Sequence, residues 1–403
     1  MEQAYVLGNA GAKPDRVTIN TLMAAFIRND SEEGLEKSME QAAHLERKYQ
    51  VMPNTVSHNI VVDSWCKSGR EDAPDKVMDL LSTMERAFQK GKQNMKPDGY
   101  TYSSVIGCFT KRSRPDAPQI AEELLRRMQH LHRKFGGDVP TTSVYNSVIN
   151  AWATHSETEY GLHRVKELLK IMEKNDGNDP EIPRANRITY NTVIKASRNG
   201  KDAVTHVEEL LTTLEAKGRS DPRMLPDYYS YTAAITAFAR SDRIDKAEKA
   251  FGTLERMLKA VREGNMAATP TTHSYNAVLN ACAFTNGDGI AKRRAFDIAM
   301  KILSLLKAKG TPDHTTYGTL LRIFATLLPD KREREPLVDE IFQTACETGN
   351  VGPMVITQLR FASTPNQHIR LTGREVVGST SVRDFPKSWT RNVRENSGRT
   401  GKY

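Results

Sequence analysis

The sequence predicts an all-α chain, a solenoid of stacked helix–turn–helix repeats. Three observations carry this. A short phrase, typified by Ile188-Thr189-Tyr190-Asn191, returns eight times, each time at the head of an apolar helical run. Most copies follow a Pro-Asp or Pro-Asn pair: Pro14-Asp15, Pro53-Asn54, Pro97-Asp98, Pro226-Asp227 and Pro312-Asp313. The period is steady, with starts at Arg16, Thr55, Gly99, Thr142, Arg187, Tyr228, Thr272 and His314, 39 to 45 residues apart. That is too long for one helix and a turn. It fits two helices with connectors, so the fold is built by stacking.

Helix A opens each repeat. Counting from the repeat start, column 7 holds Leu22, Val61, Val105, Val148, Val193, Ala234, Val278 and Leu320. Column 8 holds Met23, Val62, Ile106, Ile149, Ile194, Ile235, Leu279 and Leu321. Column 4 is Tyr in six copies, and column 11 is mostly aromatic. Columns 4, 7, 8 and 11 form one stripe at helical spacing, which reads as core. Column 10 is mostly small, letting another helix come close. Ser or Thr fills column 3 in seven copies and suits the open N–H groups of the first helical turn.

Helix B follows after a breaker such as Ser68-Gly69, Pro115, Asn199-Gly200 or Asn286-Gly287. Its apolar stripes run over Val77–Phe88, Ile120–Phe135, Val165–Met172, Val207–Leu214, Ala247–Leu258 and Ala295–Leu306. Acid pairs Glu122-Glu123 and Glu208-Glu209 on helix B read as outward, solvated charge. Repeats occupy 16–350. Residues 1–15 read as the end of a truncated preceding repeat, because Met1 precedes Pro14 by the same interval as Met84 precedes Pro97. Residues 351–403 read as a short helix and a basic, partly disordered tail. Of the net charge of +9, the stretch from Phe361 to Tyr403 holds +5.

The chain has 403 residues and a pI of about 9.2, a balance that suits a polyanionic partner. No apolar run is long enough to span a membrane. Cys66, Cys108, Cys282 and Cys346 are scattered without disulfide or metal spacing, as in a reducing compartment.

The recurring phrase, the apolar helix, a Gly-rich turn, a second helix ending near Met, and then Pro-Asp together resemble the pentatricopeptide repeat. The resemblance covers about residues 1 to 350. These repeats average about 43 residues against about 35 in the family, and the excess falls in connectors such as Gly69–Pro74 and Gln89–Met95. The tetratricopeptide repeat, the obvious rival, lacks its Trp-Leu-Gly and Tyr signature here.

The resemblance implies a right-handed superhelical solenoid that binds single-stranded RNA, one base per repeat. It implies base reading by column 5 (Asn20, Asn59, Ser103, Asn146, Asn191, Thr232 and Asn276). It implies a second reader at the last position of each repeat (Asn54, Asp98, Thr141, Asn186, Asp227, Thr271 and Asp313). Column 2 side chains Val17, Val56, Tyr100, Ile188, Tyr229 and His273 would sandwich the bases. Column 5 takes only Asn, Ser, Thr or Gly, and no Lys or Glu appears there. Under the family's pairing the tract reads 5′-C-U-R-C-U-R-U. Gly318 in the last copy suits a cap better than a reader. The setting implied is a mitochondrion or plastid, in RNA stability, processing, splicing, editing or translation. The basic tail would supply a surface for a protein partner.

Catalysis has no visible home. His155-Ser156-Glu157 matches the His-x-Glu of zinc deaminases, yet no Cys-x-x-Cys accompanies it. No phosphate-cradling glycine loop or nucleophile elbow occurs, and the tail has too few acids for a metal-dependent nuclease. The sequence therefore reads as a non-enzyme with no cofactor, no metal and no small-molecule substrate. The basic pairs Lys111-Arg112, Arg126-Arg127 and Lys331-Arg332 and the His132-Arg133-Lys134 run are candidates for phosphate contact. The alternative is a helical scaffold for proteins, with column 5 merely capping helices.

Overall fold

A computed structural model describes residues 53–373, apart from 113, 155–157, 176–177, 198–202 and 310–311, together with 381–393 and single positions between 15 and 49. Residues 1–14, Leu22, Met23, the His155-Ser156-Glu157 triplet, Asn199-Gly200 and the stretches 374–380 and 394–403 lie outside the described residues. Among the described residues every regular element is helical. The chain divides into two compact units, Met1–Ala196 and Ser197–Tyr403.

The first unit holds α1 (Thr55–Lys67), α2 (Ala73–Gln89), α3 (Gly99–Lys111), α4 (Ala117–Phe135), α5 (Thr142–Ala153), α6 (Glu159–Lys174) and α7 (Arg187–Ala196). The odd-numbered members are the A helices. Helix α3 packs on α1, α2, α4 and α5, and α5 repeats the pattern with α3, α4, α6 and α7. The second unit holds α8 (Ala203–Ser220), α9 (Tyr228–Arg240), α10 (Lys246–Arg262), α11 (Thr272–Ala283), α12 (Gly289–Lys309), α13 (His314–Leu327), α14 (Lys331–Glu347), α15 (Pro353–Ala362), α16 (Pro365–Thr372) and α17 (Lys387–Thr390). Here α11 packs on α9, α10, α12 and α13, and α13 on α11, α12, α14 and α15. Within each unit an inner A helix (α3, α5, α11 or α13) thus touches the A-type helix on either side and two B helices.

Columns 7 and 8 are buried in every described copy, from Val61 and Val62 to Leu320 and Leu321. Each such side chain contributes roughly 1.5–3 kcal/mol through burial. The B helices run longer than their apolar stripes: α2 starts at Ala73 rather than Val77, and α8 ends at Ser220 rather than Leu214. The stripe marks only the buried part of a helix. Pro74 and Pro118, in the first turns of α2 and α4, lie ahead of the apolar period yet suit helix starts.

The long connectors carry structure of their own. Turns of 3-10 helix occupy Gln93–Met95, Pro222–Met224 and Met266–Ala268. Asn94 Nδ2 donates to the Pro53 carbonyl at 2.9 Å, and Asn265 Nδ2 to the Pro226 carbonyl at 2.8 Å. The exit loop of one repeat therefore ties back to the Pro that opened it. Gly136 ends α4 with φ of 70°, a left-handed conformation open to glycine at little cost.

Column 4 is a polar seam inside the core. Tyr102 and Tyr231 are buried; their hydroxyls donate to Glu85 Oε1 at 2.7 Å and Glu215 Oε1 at 3.0 Å, and Tyr190 donates to Glu173. Arg127 and Arg256 from the next B helix pair with Glu85 and Glu215 respectively. On helix B, Glu122 departs from its expected role. It accepts from Trp152 Nε1 at 2.8 Å and Arg164 Nε at 2.6 Å, so it joins repeats instead of being simply solvated.

The chain after residue 350 continues to pack. The α15 helix lies against α13 and α14, and α16 touches α14. The Trp389 ring meets Phe342 edge-on at 5.9 Å and stacks with Phe385 at 6.0 Å. Val351 N donates to the Trp389 carbonyl at 2.8 Å, and Asn392 N to the Gly349 carbonyl at 2.9 Å. The sequence shows only part of this: the aromatic pair Phe385 and Trp389 points to docking on the last repeat or on a partner, while α16 has eight residues, too few to show a period.

Replacing Glu85→Ala strands Tyr102 and Arg127 together. We expect it to destabilise the chain by about 2–3 kcal/mol in urea unfolding. Glu123→Ala, on the exposed side of α4, should change stability by no more than about 0.5 kcal/mol.

Burial raises the phenol pKa of Tyr102, Tyr190 and Tyr231 above the ordinary 10, and pushes Tyr145 up to about 12. A group whose folded pKa is raised gives its full stabilisation below the unfolded value and loses it as pH rises through the folded one. The thermal midpoint should therefore hold up to about pH 10 as far as these phenols govern it, and then fall through pH 12. A midpoint unchanged between pH 10 and 12 would contradict the buried-tyrosine account.

Candidate nucleic-acid interface

The expected site residues meet at the head of each A helix. The last residue of the preceding repeat is the N-cap. Asn54, Asp98, Asn186, Asp227 and Asp313 each offer Oδ1 to the backbone N–H three residues on, at 2.8 to 3.1 Å. This is the local reason for the Pro-Asp pairs: the carboxylate or amide satisfies an N–H group that the helix leaves open.

The column 3 hydroxyl completes the junction. It accepts the cap's own N–H, as from Asp98 N to Thr101 Oγ1 at 3.2 Å and from Asp313 N to Thr316 Oγ1 at 3.1 Å. It also lies against column 5 of the preceding repeat. Ser57 Oγ donates to Asn20 Oδ1 at 2.6 Å, and Thr101, Thr189 and Thr316 donate to Asn59, Asn146 and Asn276 Oδ1, each at 2.7 Å. The amide nitrogens face the caps. Asn59 Nδ2 lies 3.3 Å from Asp98 Oδ1, Asn146 Nδ2 3.3 Å from Asn186 Oδ1, and Asn276 Nδ2 3.0 Å from Asp313 Oδ1.

The structure thus brings column 5 and the last position together at Asn59–Asp98, Asn146–Asn186 and Asn276–Asp313. Asn191 is half-buried in the first unit, and Asp227 caps α9 in the second. Thr232 Oγ1 meets Ser274 Oγ at 2.7 Å, while Thr271 lies 3.4 Å from that same hydroxyl. The Ser103–Thr141 pair differs. Column 3 there is Val144, Thr141 makes no side-chain cap, and Ser103 donates sideways to Ser143 Oγ at 3.2 Å.

Column 2 stands on the surface beside these junctions. Val17, Val56, Tyr100, Ile188 and Tyr229 are 53% to 67% exposed, and His273 is exposed too. Exposed apolar side chains at one fixed place per repeat call for a partner more than scattered ones do. Tyr100 is tethered: its hydroxyl donates to Asp63, which raises the phenol pKa.

The last copy is closed. A Cβ on Gly318 would come within 2.6 Å of Met354 Cγ, so α15 covers the place where other repeats show column 5. Several expected phosphate contacts are also otherwise engaged. Arg127 pairs with Glu85, and Arg133 grips Glu181 through two bonds of 2.6 Å. The expected residues omit the column 3 hydroxyls as partners of column 5. Their recurrence was visible, and so was its one failure at Val144, in the junction where column 5 is Ser103 instead of Asn.

Among the described residues no group of three or more His, Cys, Asp or Glu side chains gathers as a metal site. No described helix is long and apolar enough to cross a membrane.

The family model of the PPR repeat matches residues 229–257, which begin at column 2 of the α9 repeat and end in α10. No curated protein matches. The crystal structure of the pentatricopeptide repeat protein PPR10 from maize is similar over 92% of this chain, with 20% identity and a TM-score of 0.48. This chain spans about half of that one, 46% of its length.

Installing a reader in the last copy by Gly318→Asn should fail structurally. Met354 cannot withdraw without moving α15, so we expect a loss of about 2 kcal/mol in thermal or urea unfolding. Unchanged stability would show that α15 lifts easily from α13.

Proposed function

The chain carries the pentatricopeptide repeat, and on that premise we propose that it binds single-stranded RNA in a base-selective way and acts by occupancy or recruitment in organellar RNA metabolism. The observation that carries the reading is the division of labour at the cap. Each cap side chain spends Oδ1 on its helix, so a ligand would meet the other terminal atom, which in Asp98 also lies 3.5 Å from Asn59 Nδ2. In Asp98 and Asp313 that atom is an acceptor, Oδ2. In Asn54 and Asn186 it is a donor, Nδ2.

Pyrimidines differ at the matching place. Uracil presents a donor at N3 and cytosine an acceptor. An Asp cap with a column 5 Asn therefore suits uracil, and an Asn cap suits cytosine. Column 5 supplies a second amide N–H for a base carbonyl. The exposed column 2 side chains lie beside these groups, where an unstacked base could be sandwiched at roughly 1–3 kcal/mol each. Taken from the N-terminal side, the junctions read 5′-C-U-R-C-U-R-U, where the two purine positions rest on Ser103 and Thr232.

The test is binding to a heptamer of that sequence against its duplex and against variants. The single strand should win, and affinity should fall with salt by about 0.7 log units per log unit for each phosphate contact. Asp98→Asn changes one acceptor atom into a donor. It should move the preference at the second nucleotide from uracil to cytosine and leave the other positions alone. Equal binding of duplex, or no binding to any RNA, would refute the proposal and favour a protein scaffold.

A further inference from the structure

We infer that the buried column 3 hydroxyls of Ser57, Thr101, Thr189 and Thr316 are specificity-positioning groups, each fixing which way the amide of the preceding column 5 Asn faces its ligand. The inference rests on the RNA-reading proposal and adds a residue class to it. All four are fully buried, so their role is played out inside the junction.

Each hydroxyl oxygen already accepts the cap's backbone N–H, at 3.1 to 3.2 Å. Its single proton has two acceptors in reach, the cap Oδ1 at 2.8 to 3.2 Å and the Asn Oδ1, which is nearer in every case. The cap oxygen already takes the helix N–H in all four, and the Asn amide as well in three. The Asn Oδ1 at 2.6 to 2.7 Å has that hydroxyl as its donor among the described residues. The amide is therefore held with its oxygen on the hydroxyl and, in three of the four, its nitrogen toward the cap. Turned over, it would offer a base an acceptor in place of a donor and reverse the selection. The junction without the hydroxyl shows the converse. Val144 stands there, and column 5 is Ser103, a rotor with no amide to orient.

The experiment uses the whole chain and RNA heptamers that differ only at the second nucleotide, the one assigned to Asn59 and Asp98. Thr101→Val keeps the shape and removes the hydroxyl. The uracil-over-cytosine ratio at that nucleotide should fall roughly three- to tenfold, with the preference at the seventh unchanged, and Thr101→Ser should restore it. A purely structural hydroxyl would instead lower the melting temperature and weaken all heptamers alike, which overturns the inference. So does a Thr101→Val chain that keeps its ratio. Thr316→Val repeats the test at a second junction, that of Asn276 and Asp313. The uracil-over-cytosine ratio at the seventh nucleotide should fall while the preference at the second stays, and no change there overturns the inference as well. A wild-type chain without preference at the second nucleotide overturns the RNA reading itself, and this inference falls with it.

Discussion

At Ser57, Thr101, Thr189 and Thr316 one shared hydroxyl at the head of helix A joins a repeat to the one before it. In Asn59, Asp98 and Thr101 the same few atoms cap α3 and bond α1 to α3. A helix start needs its first N–H groups satisfied, and here a side chain at the repeat boundary does it. Column 5 and the cap therefore cannot shift without fraying the helix behind them. This ties the geometry of the junction to stability and sets the spacing of successive junctions by that of the A helices.

Behind that junction, the stack is held by short-range contacts. Each A helix buries columns 7 and 8 against its neighbours, and stability is the sum of such interfaces. The buried Tyr–Glu–Arg groups add direction to this apolar packing. Tyr102 reaches back to Glu85 on α2, and Arg127 reaches the same carboxylate from α4, so three successive helices meet at one charge. A purely apolar seam could slide, whereas this one has a single register. The Asn94 and Asn265 clamps do the same for the connectors, which is why extra length there does not loosen the stack.

The positive charge is less available than its total suggests. Arg127, Arg133, Arg164 and Arg256 each hold a carboxylate of the adjoining repeat, at sites from 11% to 27% exposed on the acid side. These cations join repeats. Attraction for a polyanion has to come from the remainder, and the cap carboxylates oppose it at Asp98 and Asp313. A surface built this way offers less free positive charge than the net total implies.

The sequence by itself determined the period, the all-helical class and the core columns. All of these are local: a stripe repeats every three or four residues, and Val105 announces its role within one turn. For capping the sequence points to the column 3 hydroxyl, whereas the N-cap is the last residue of the preceding repeat, as at Asp98. The sequence also brought column 5 and the last position forward as candidates, through resemblance. Only the tertiary structure decided the partners across repeats. Thr101 meets Asn59 at a separation of 42 residues, Tyr102 meets Glu85 at 17, and Met354 closes over Gly318. Such pairs depend on how two helices lie side by side, and connectors of varied length hide that register. The aromatic pair Phe385 and Trp389 already marked the tail as able to dock on the last repeat or on a partner, but only the packed surface of α14 decides that the Trp389 ring meets Phe342.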